Sequence, residues 1–387
     1  MLYSFSINTP FKKFINYLYY LMCLFLALVF AIKGNEIASY NGVNADWSNH
    51  PNSRYPIDSS VNIVNIENCI FQSFVSTENM NGGCIYIVNY DITFKAQFSS
   101  FHLCRLNKNT DFDENSKRVN CGGALYLNIY NFHLYRVCGY NCSSHWYQFC
   151  FGNSGNSITI NETTTSYCCP ENLGYRESQL YHSPNMIFRN MNASYNFVEF
   201  YGSAMVIGDP NNDDKVQICD ILYCSFNHNR GSNVLYIDGG NNVRKIQSIN
   251  FIENTISNIY DSDGERYGIL VLLKRPLTQL WDIDTIFFVR NSGGPYAKQY
   301  SFAGGVVFSS VPFTNCFFGS GLTFESFIHV SEGSTVGTDA DAPNYNHVHN
   351  GICVAENPFP TNQFTSNYKT RNMSQIRWIF SLMLINI

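Results

Sequence analysis

The run Asp209-Pro210-Asn211-Asn212-Asp213-Asp214 sets side-chain oxygens at alternating positions, with Asp220 at the twelfth place. Such a set can surround a hard cation such as calcium, so Asp209, Asn211, Asp213 and Asp220 are the candidate ligands. The sixth place, where a calcium loop needs glycine for its sharp turn, holds Asp214. Asp, Asn and Gly are equally the residues of solvated turns, which favours a plain loop here and at the shorter Asp261-Ser262-Asp263-Gly264. Cys138, Cys142, His145 and Cys150 form a C-x3-C-x2-H-x4-C array whose ligand types suit zinc. Its spacing misses the C-x2-C-x4-H-x4-C knuckle, and in a chain headed by an export signal disulfides or core packing explain it better. His347-Val348-His349 would put two imidazoles on one face of a strand, but it lies in a polar stretch that reads as a tail. No Gly-x-Ser-x-Gly elbow and no Gly-rich phosphate loop ahead of a helix is present. No catalytic residue, resident metal or cofactor is therefore assigned.

The elements that would position any site are more legible. Seven stretches share a small-residue corner followed by alternating apolar residues: Gly82-Gly83-Cys84-Ile85, Gly122-Gly123-Ala124-Leu125, Gly155-Asn156-Ser157-Ile158, Gly202-Ser203-Ala204-Met205, Ser232-Asn233-Val234-Leu235, Gly268-Ile269-Leu270 and Gly304-Gly305-Val306-Val307. Aligned, they give one aliphatic column from Ile85 to Val307 and a second from Ile87 to Leu272, both expected to point inward. Between them stands a β-branched or aromatic column that includes Tyr86, Tyr126, Tyr236 and Phe308, which period-two alternation places on the opposite face. Steps of 30 to 47 residues between units are too irregular for a helical solenoid and natural for stacked β-coils with loops of variable length. The expected fold is all-β, a single-stranded right-handed parallel β-helix, in which like residues form ladders at the ~4.8 Å inter-strand spacing.

A second element recurs as Phe226-Asn227-His228-Asn229, Phe251-Ile252-Glu253-Asn254 and Phe288-Val289-Arg290-Asn291. Asn229, Asn254 and Asn291 suit a bend, where the side chain can bond the backbone and the left-handed conformation is tolerated, while glycine accepts positive φ. Together the Gly-Gly-[Ala/Ile/Leu/Val] and Phe-x-x-Asn motifs resemble the tandem repeats of the polymorphic outer-membrane-protein family, and the arrangement is similar to β-helix surface proteins of protist parasites. The resemblance covers roughly residues 62–330; Gly122-Gly123-Ala124 and Gly304-Gly305-Val306 match the first motif outright, and Gly82-Gly83-Cys84 and Gly202-Ser203-Ala204 depart by one residue. It implies a cell-surface β-helix whose usual role is adhesion or surface display, with no catalytic residues to carry over.

Charge and ends agree with export. Charged residues are only 14% of the chain and the formal net charge is -5, which excludes a nucleic-acid partner that needs clustered Lys and Arg. Lys12 and Lys13 precede an apolar run over residues 14–32, a secretory signal or an uncleaved membrane anchor. Sequons at Asn141, Asn161, Asn192 and Asn372 fit a glycoprotein, and 14 cysteines fit an oxidising compartment, with thirteen left once Cys23 goes with the leader. The expected plan is a leader at 1–34, an N-terminal cap at 35–61, the β-helix at 62–330, a polar cap or stalk at 331–375 and a short apolar tail at 376–387. The expected function is contact with a host-cell or matrix protein or glycan through the Tyr86, Tyr126, Tyr236, Phe308 strip. The alternative is a carbohydrate-active lyase or hydrolase on the same fold, which requires carboxylates converging on one groove.

Overall fold

The computed structural model describes residues 37–76, 81–106, 121–168, 178–198, 202–208, 218–237, 244–256, 268–274, 281–292, 297–301, 311–319, 328–330 and 333–338. The chain forms two compact units, Met1–Cys353 and Val354–Ile387, and the described residues all belong to the first. Twenty-five of its strands join one continuous sheet, and the pairings within it are parallel. The fold is a parallel β-helix. A full coil presents three faces, in places with one long strand running through two of them, and the strands of each face pair with their counterparts in the next coil.

The second face forms a ladder along the described coils. It runs from Ile37–Asn41 through Ile63–Glu67, residues 93–97, 131–135 and 157–161, Asn185–Arg189, Ile218–Leu222, residues 244–247 and 281–284, and Val311–Thr314 to Ile328–Val330. Among the described residues pairing thus runs from Ile37, inside the segment expected to be a cap, to Val336 on the third face, beyond 330. Alternation aims every second side chain inward. The column Ile66, Ala96, Leu134, Ile160, Phe188, Ile221, Ile246, Ile283 is accordingly buried throughout. On the third face Phe226, Phe251, Phe288 and Phe318 stack with ring centroids 5.3, 5.0 and 5.3 Å apart. Each such aromatic pair adds about 0.5–1.5 kcal/mol beyond the area it buries.

The bends between faces are made chiefly by non-glycine residues in the left-handed conformation. One column, between the second and third faces, holds Asn68, Phe98, Arg136, Glu162, Asn190, Tyr223, Ser248, Thr285 and Asn315 at φ from 49° to 58°. The other, leaving the third face, holds Ser73, Leu103, Asn141, Tyr167, Tyr195, His228, Glu253 and Arg290 at similar angles. An L-residue pays roughly 1–2 kcal/mol for this conformation. The backbone N–H at these bends is bonded to the next coil, as in Phe98 to Tyr135 O at 3.0 Å and Tyr195 to Asn227 O at 3.0 Å.

Glycine makes the left-handed entry to the first face in two successive coils. Gly82 and Gly122 have φ of 70° and 71°, and a Cβ on Gly122 would lie 2.1 Å from Leu125 O. Their successors Gly83 and Gly123 let coils touch, since a Cβ on Gly83 would lie 2.1 Å from Gly123 O.

One unit of the expected alignment belongs elsewhere. Leu125 pairs with Cys150, not Ile158, and Ile158 pairs with Phe132 on the second face. The true entry to the first face in this coil is Tyr147-Gln148-Phe149-Cys150, with Tyr147 at φ 58° where the preceding coils have glycine. Gly155 instead sits at the irregularity between the first and second faces. The first-face strand Gln179–His182 had no glycine to announce it; its inward Gln179 is fully buried and bonds Thr165 Oγ1 at 2.9 Å and Ala204 O at 3.0 Å.

Candidate functional site

The Phe-x-x-Asn elements build the best-defined polar feature of the molecule. His228, Glu253 and Arg290 take the left-handed bend, so the chain turns one residue earlier than the asparagine. Asn229, Asn254 and Asn291 follow it, point inward and stack in successive coils, at 0, 0 and 7% exposure. Each amide serves two neighbours. Asn254 Nδ2 donates to Phe226 O of the coil before at 2.8 Å and to Asn291 Oδ1 at 2.9 Å. Asn254 Oδ1 accepts from Asn229 N at 2.9 Å and from Asn229 Nδ2 at 3.1 Å. Asn196 extends the ladder, accepting from Cys168 N at 2.9 Å and donating its own N–H to Asn229 Oδ1 at 3.1 Å. Every buried polar group in this column is satisfied, so its chemistry is structural.

The residues at the bend itself face solvent and form a continuous outer column. Tyr167 and Tyr195 are 47% and 44% exposed, with centroids 4.9 Å apart and planes at 2°. His228 stacks on Tyr195 at 4.5 Å and 17°, and Tyr140 meets Tyr167 edge-on at 5.6 Å. The column then changes character: His228 Nε2 contacts Glu253, whose other oxygen lies 2.5 Å from Arg290 Nε. Because the rings lie face to face along the column, what they offer outward is edges and hydroxyls. Four aromatic rings and a Glu–Arg pair thus share one edge, beside bends whose backbone is bonded to the next coil.

The strip expected from Tyr86, Tyr126, Tyr236 and Phe308 divides. Tyr86 is 39% exposed and stacks on Tyr126 at 5.3 Å, and Tyr126 stacks on Phe151 at 4.6 Å. Arg54 covers the other face of Tyr86, 4.5 Å from its centroid. Both ring faces are therefore occupied within the chain. Tyr236, at 2% exposure, is buried with Cys121, Trp146, Tyr147, Leu180 and Val206 in a second apolar cluster outside the first face. It cannot serve a surface strip. Phe308, with Gly304 and Gly305, lies outside the described residues.

Of the calcium candidates only Asp220 is described; Asp209, Asn211 and Asp213 lie outside. Asp220 projects from the second face, in register with Ile187 on one side and Lys245 on the other. Lys245 in turn is in register with Asp282. Asp282 accepts from Gln247 Nε2 at 2.9 Å, and Asp284 accepts from Asn315 Nδ2 and Thr285 Oγ1, both at 2.8 Å. These carboxylates already serve cross-coil bonds. Among the described residues no group of three His, Cys, Asp or Glu is placed to hold a metal. The C-x3-C-x2-H-x4-C residues are spread around the coil: Cys138 starts a third-face strand, Cys142 follows the bend after it, and Cys150 starts the next first-face strand.

Ten of the eleven described cysteines are buried as thiols, where disulfides were the sequence expectation, and Cys138 is disulfide-bonded. The ladder register explains the packing: thiols occupy inward positions that other coils fill with Val, Ile, Phe or Asn. Among the sequons, Asn141 sits at a bend and accepts from Arg105 Nη2 at 2.7 Å, Asn161 accepts from Asn190 Nδ2 at 3.2 Å, and Asn192 starts a third-face strand. All three are half-buried, while Asn372, the apolar run at 14–32 and the His347-Val348-His349 segment lie outside the described residues. No protein-family model, no curated protein and no solved structure matches the chain.

Proposed function

We propose that the chain is an exported, cell-surface or secreted contact protein, in which the β-helix holds an outer side-chain column against a partner for adhesion or surface display. The observation that carries this reading is the outer edge of Tyr140, Tyr167, Tyr195, His228, Glu253 and Arg290, with the backbone N–H of Tyr167, Tyr195, His228 and Glu253 bonded to the next coil. Rigid aromatic side chains with polar tips give contact area at low ordering cost, and Arg, Tyr and His beside a carboxylate suit a polypeptide surface. Stacking along the column covers the ring faces that a sugar would use, which favours a protein over a glycan. The apolar run over residues 14–32 and the low charge support export.

The test is binding of the purified chain to intact cells and to a glycan array, alongside a Tyr167→Ser/Tyr195→Ser double variant. Saturable cell binding that falls at least tenfold in the double variant and is lost when the cells are pretreated with protease supports the reading. Absence of cell binding, or equal binding by the variant, removes it. Binding confined to the array replaces the protein partner with a glycan, and release of cleaved polysaccharide would move the assignment to a carbohydrate-active enzyme.

A further inference from the structure

The bend that carries the asparagine ladder has a different filling in the earlier coils. At the same inward position, one residue after the left-handed Leu103 and Asn141, stand Cys104 and Cys142. They are register neighbours: Ser100, Phe101 and His102 pair with Cys138, Gly139 and Tyr140 just ahead of them. Backbone bonds close on both sides of the pair, Leu103 N to Tyr140 O at 3.0 Å and Ser143 N to Cys104 O at 3.0 Å. The coil spacing of ~4.8 Å therefore sets their Cα atoms inside the 4.4–6.8 Å window that a disulfide spans.

One of the two thiols reaches directly into its partner's coil. Cys142 Sγ lies 3.4 Å from Phe101 O of the coil before, while Cys104 Sγ lies 3.6 Å from its own His102 O. Cys168, the next residue in the column, reaches back to Gly139 O at a longer 3.9 Å and has its N–H held by the asparagine ladder. Cys84 lies near Cys104 but ahead of the first face of the same coil, so it is no register partner. Burial pushes the Cys84 and Cys104 thiols up; at Cys142 burial acts the same way but is outweighed by donation from Cys104 and Cys168, which brings it down.

We infer that Cys104 and Cys142 are a redox-modification site, a thiol pair that oxidises to a disulfide tying two successive coils together. The oxidant is a small dialkyl disulfide such as oxidised glutathione. The Cys142 thiolate attacks one of its sulfurs and expels one glutathione thiolate; the Cys104 thiolate, its proton given to solvent, then attacks the Cys142 sulfur and expels the second. Two electrons pass from the cysteines to the reagent, which leaves as two glutathione molecules. The folded pair is fully buried, so exchange takes place while the coils are open. The inference does not depend on whether the outer column binds a partner.

The full chain, unfolded and refolded in a glutathione redox buffer and quenched by alkylation, is digested without reduction and mapped by mass spectrometry. The expected product is a peptide pair joined through Cys104 and Cys142, two hydrogens lighter than its reduced parts, absent from Cys104→Ser and retained in Cys84→Ser. Recovery of both cysteines in alkylated form, or Cys142 joined to Cys168 or Cys84, overturns the assignment. Wild-type mapping alone decides this, so a variant that fails to refold leaves the test intact.

Discussion

Replacing Asn254 by alanine isolates what the asparagine ladder contributes. The side chain makes four bonds, to Phe226 O, Asn291 Oδ1, Asn229 N and Asn229 Nδ2, at 2.8 to 3.1 Å. In the variant the Asn229 N–H is left unpaired at a site with 0% exposure, and Phe226 O keeps only its bonds within the sheet. An orphaned buried backbone group costs about 1–3 kcal/mol, so the loss expected is about 1–3 kcal/mol. The control is Glu253→Ala one residue earlier, which removes an exposed ion pair and costs under about 1 kcal/mol. Urea unfolding of both variants gives the difference in stability, and amide exchange locates it: the Asn229 N–H should lose protection in Asn254→Ala and keep it in Glu253→Ala. A loss below about 1 kcal/mol in Asn254→Ala, or unchanged protection at Asn229, would refute the view that these amides hold the coils together.

The same geometry sets three further expectations. Gly122→Ala puts a Cβ 2.1 Å from Leu125 O at φ 71° and should lower stability by about 1–3 kcal/mol, whereas Gly155→Ala meets nothing nearer than 3.7 Å and should stay within about 0.5 kcal/mol; urea midpoints compare them. Phe251→Ala opens the stack between Phe226 and Phe288 and should cost about 3–5 kcal/mol by the same measurement. Burial lowers the pKa of His102 from its ordinary 6.5, and burial followed by Lys95 lowers that of His133. Their neutral forms are favoured in the folded chain, so stability is full above pH 6.5 and falls as the unfolded chain takes up protons below it; His102→Gln should flatten part of that fall in denaturation measured at pH 7.5 and 5.5.

The coil repeat was legible because a parallel β-helix writes the same demand at the same place in each turn, and the Phe-x-x-Asn elements marked one bend to within a residue. What each asparagine does was less so: the sequence suggested that it makes the turn, but His228, Glu253 and Arg290 make it, and the asparagine spends its amide on neighbouring coils. Gly155 misled because alternation after a glycine looks alike on any face; only pairing shows that Cys150 is the partner of Leu125. Tyr236 misled because alternation says which side of a sheet a residue takes, not whether another layer covers that side, as Trp146 and Tyr147 help to do. The column of Tyr167, Tyr195 and His228 passed unnoticed in the sequence. Its members are separated by whole coils of unequal length and share no local pattern, and the one available signal was that each precedes a Cys or Asn two residues after a short strand.

The left-handed bends separate two tasks that most folds combine in one residue. A position that holds Phe98, Arg136, Glu162 and Tyr223 in successive or nearby coils at nearly one φ is fixed in backbone and open in side chain. Its hydrogen bonds are made by main-chain atoms, so exchanging the group it displays leaves the pairing of the coil untouched. Along each of these edges the surface can be rewritten one coil at a time, acid for base or ring for amide, at a cost that does not spread inward. The architecture is in that sense a carrier of interchangeable text, and a new partner requires new letters at the edge rather than a new fold.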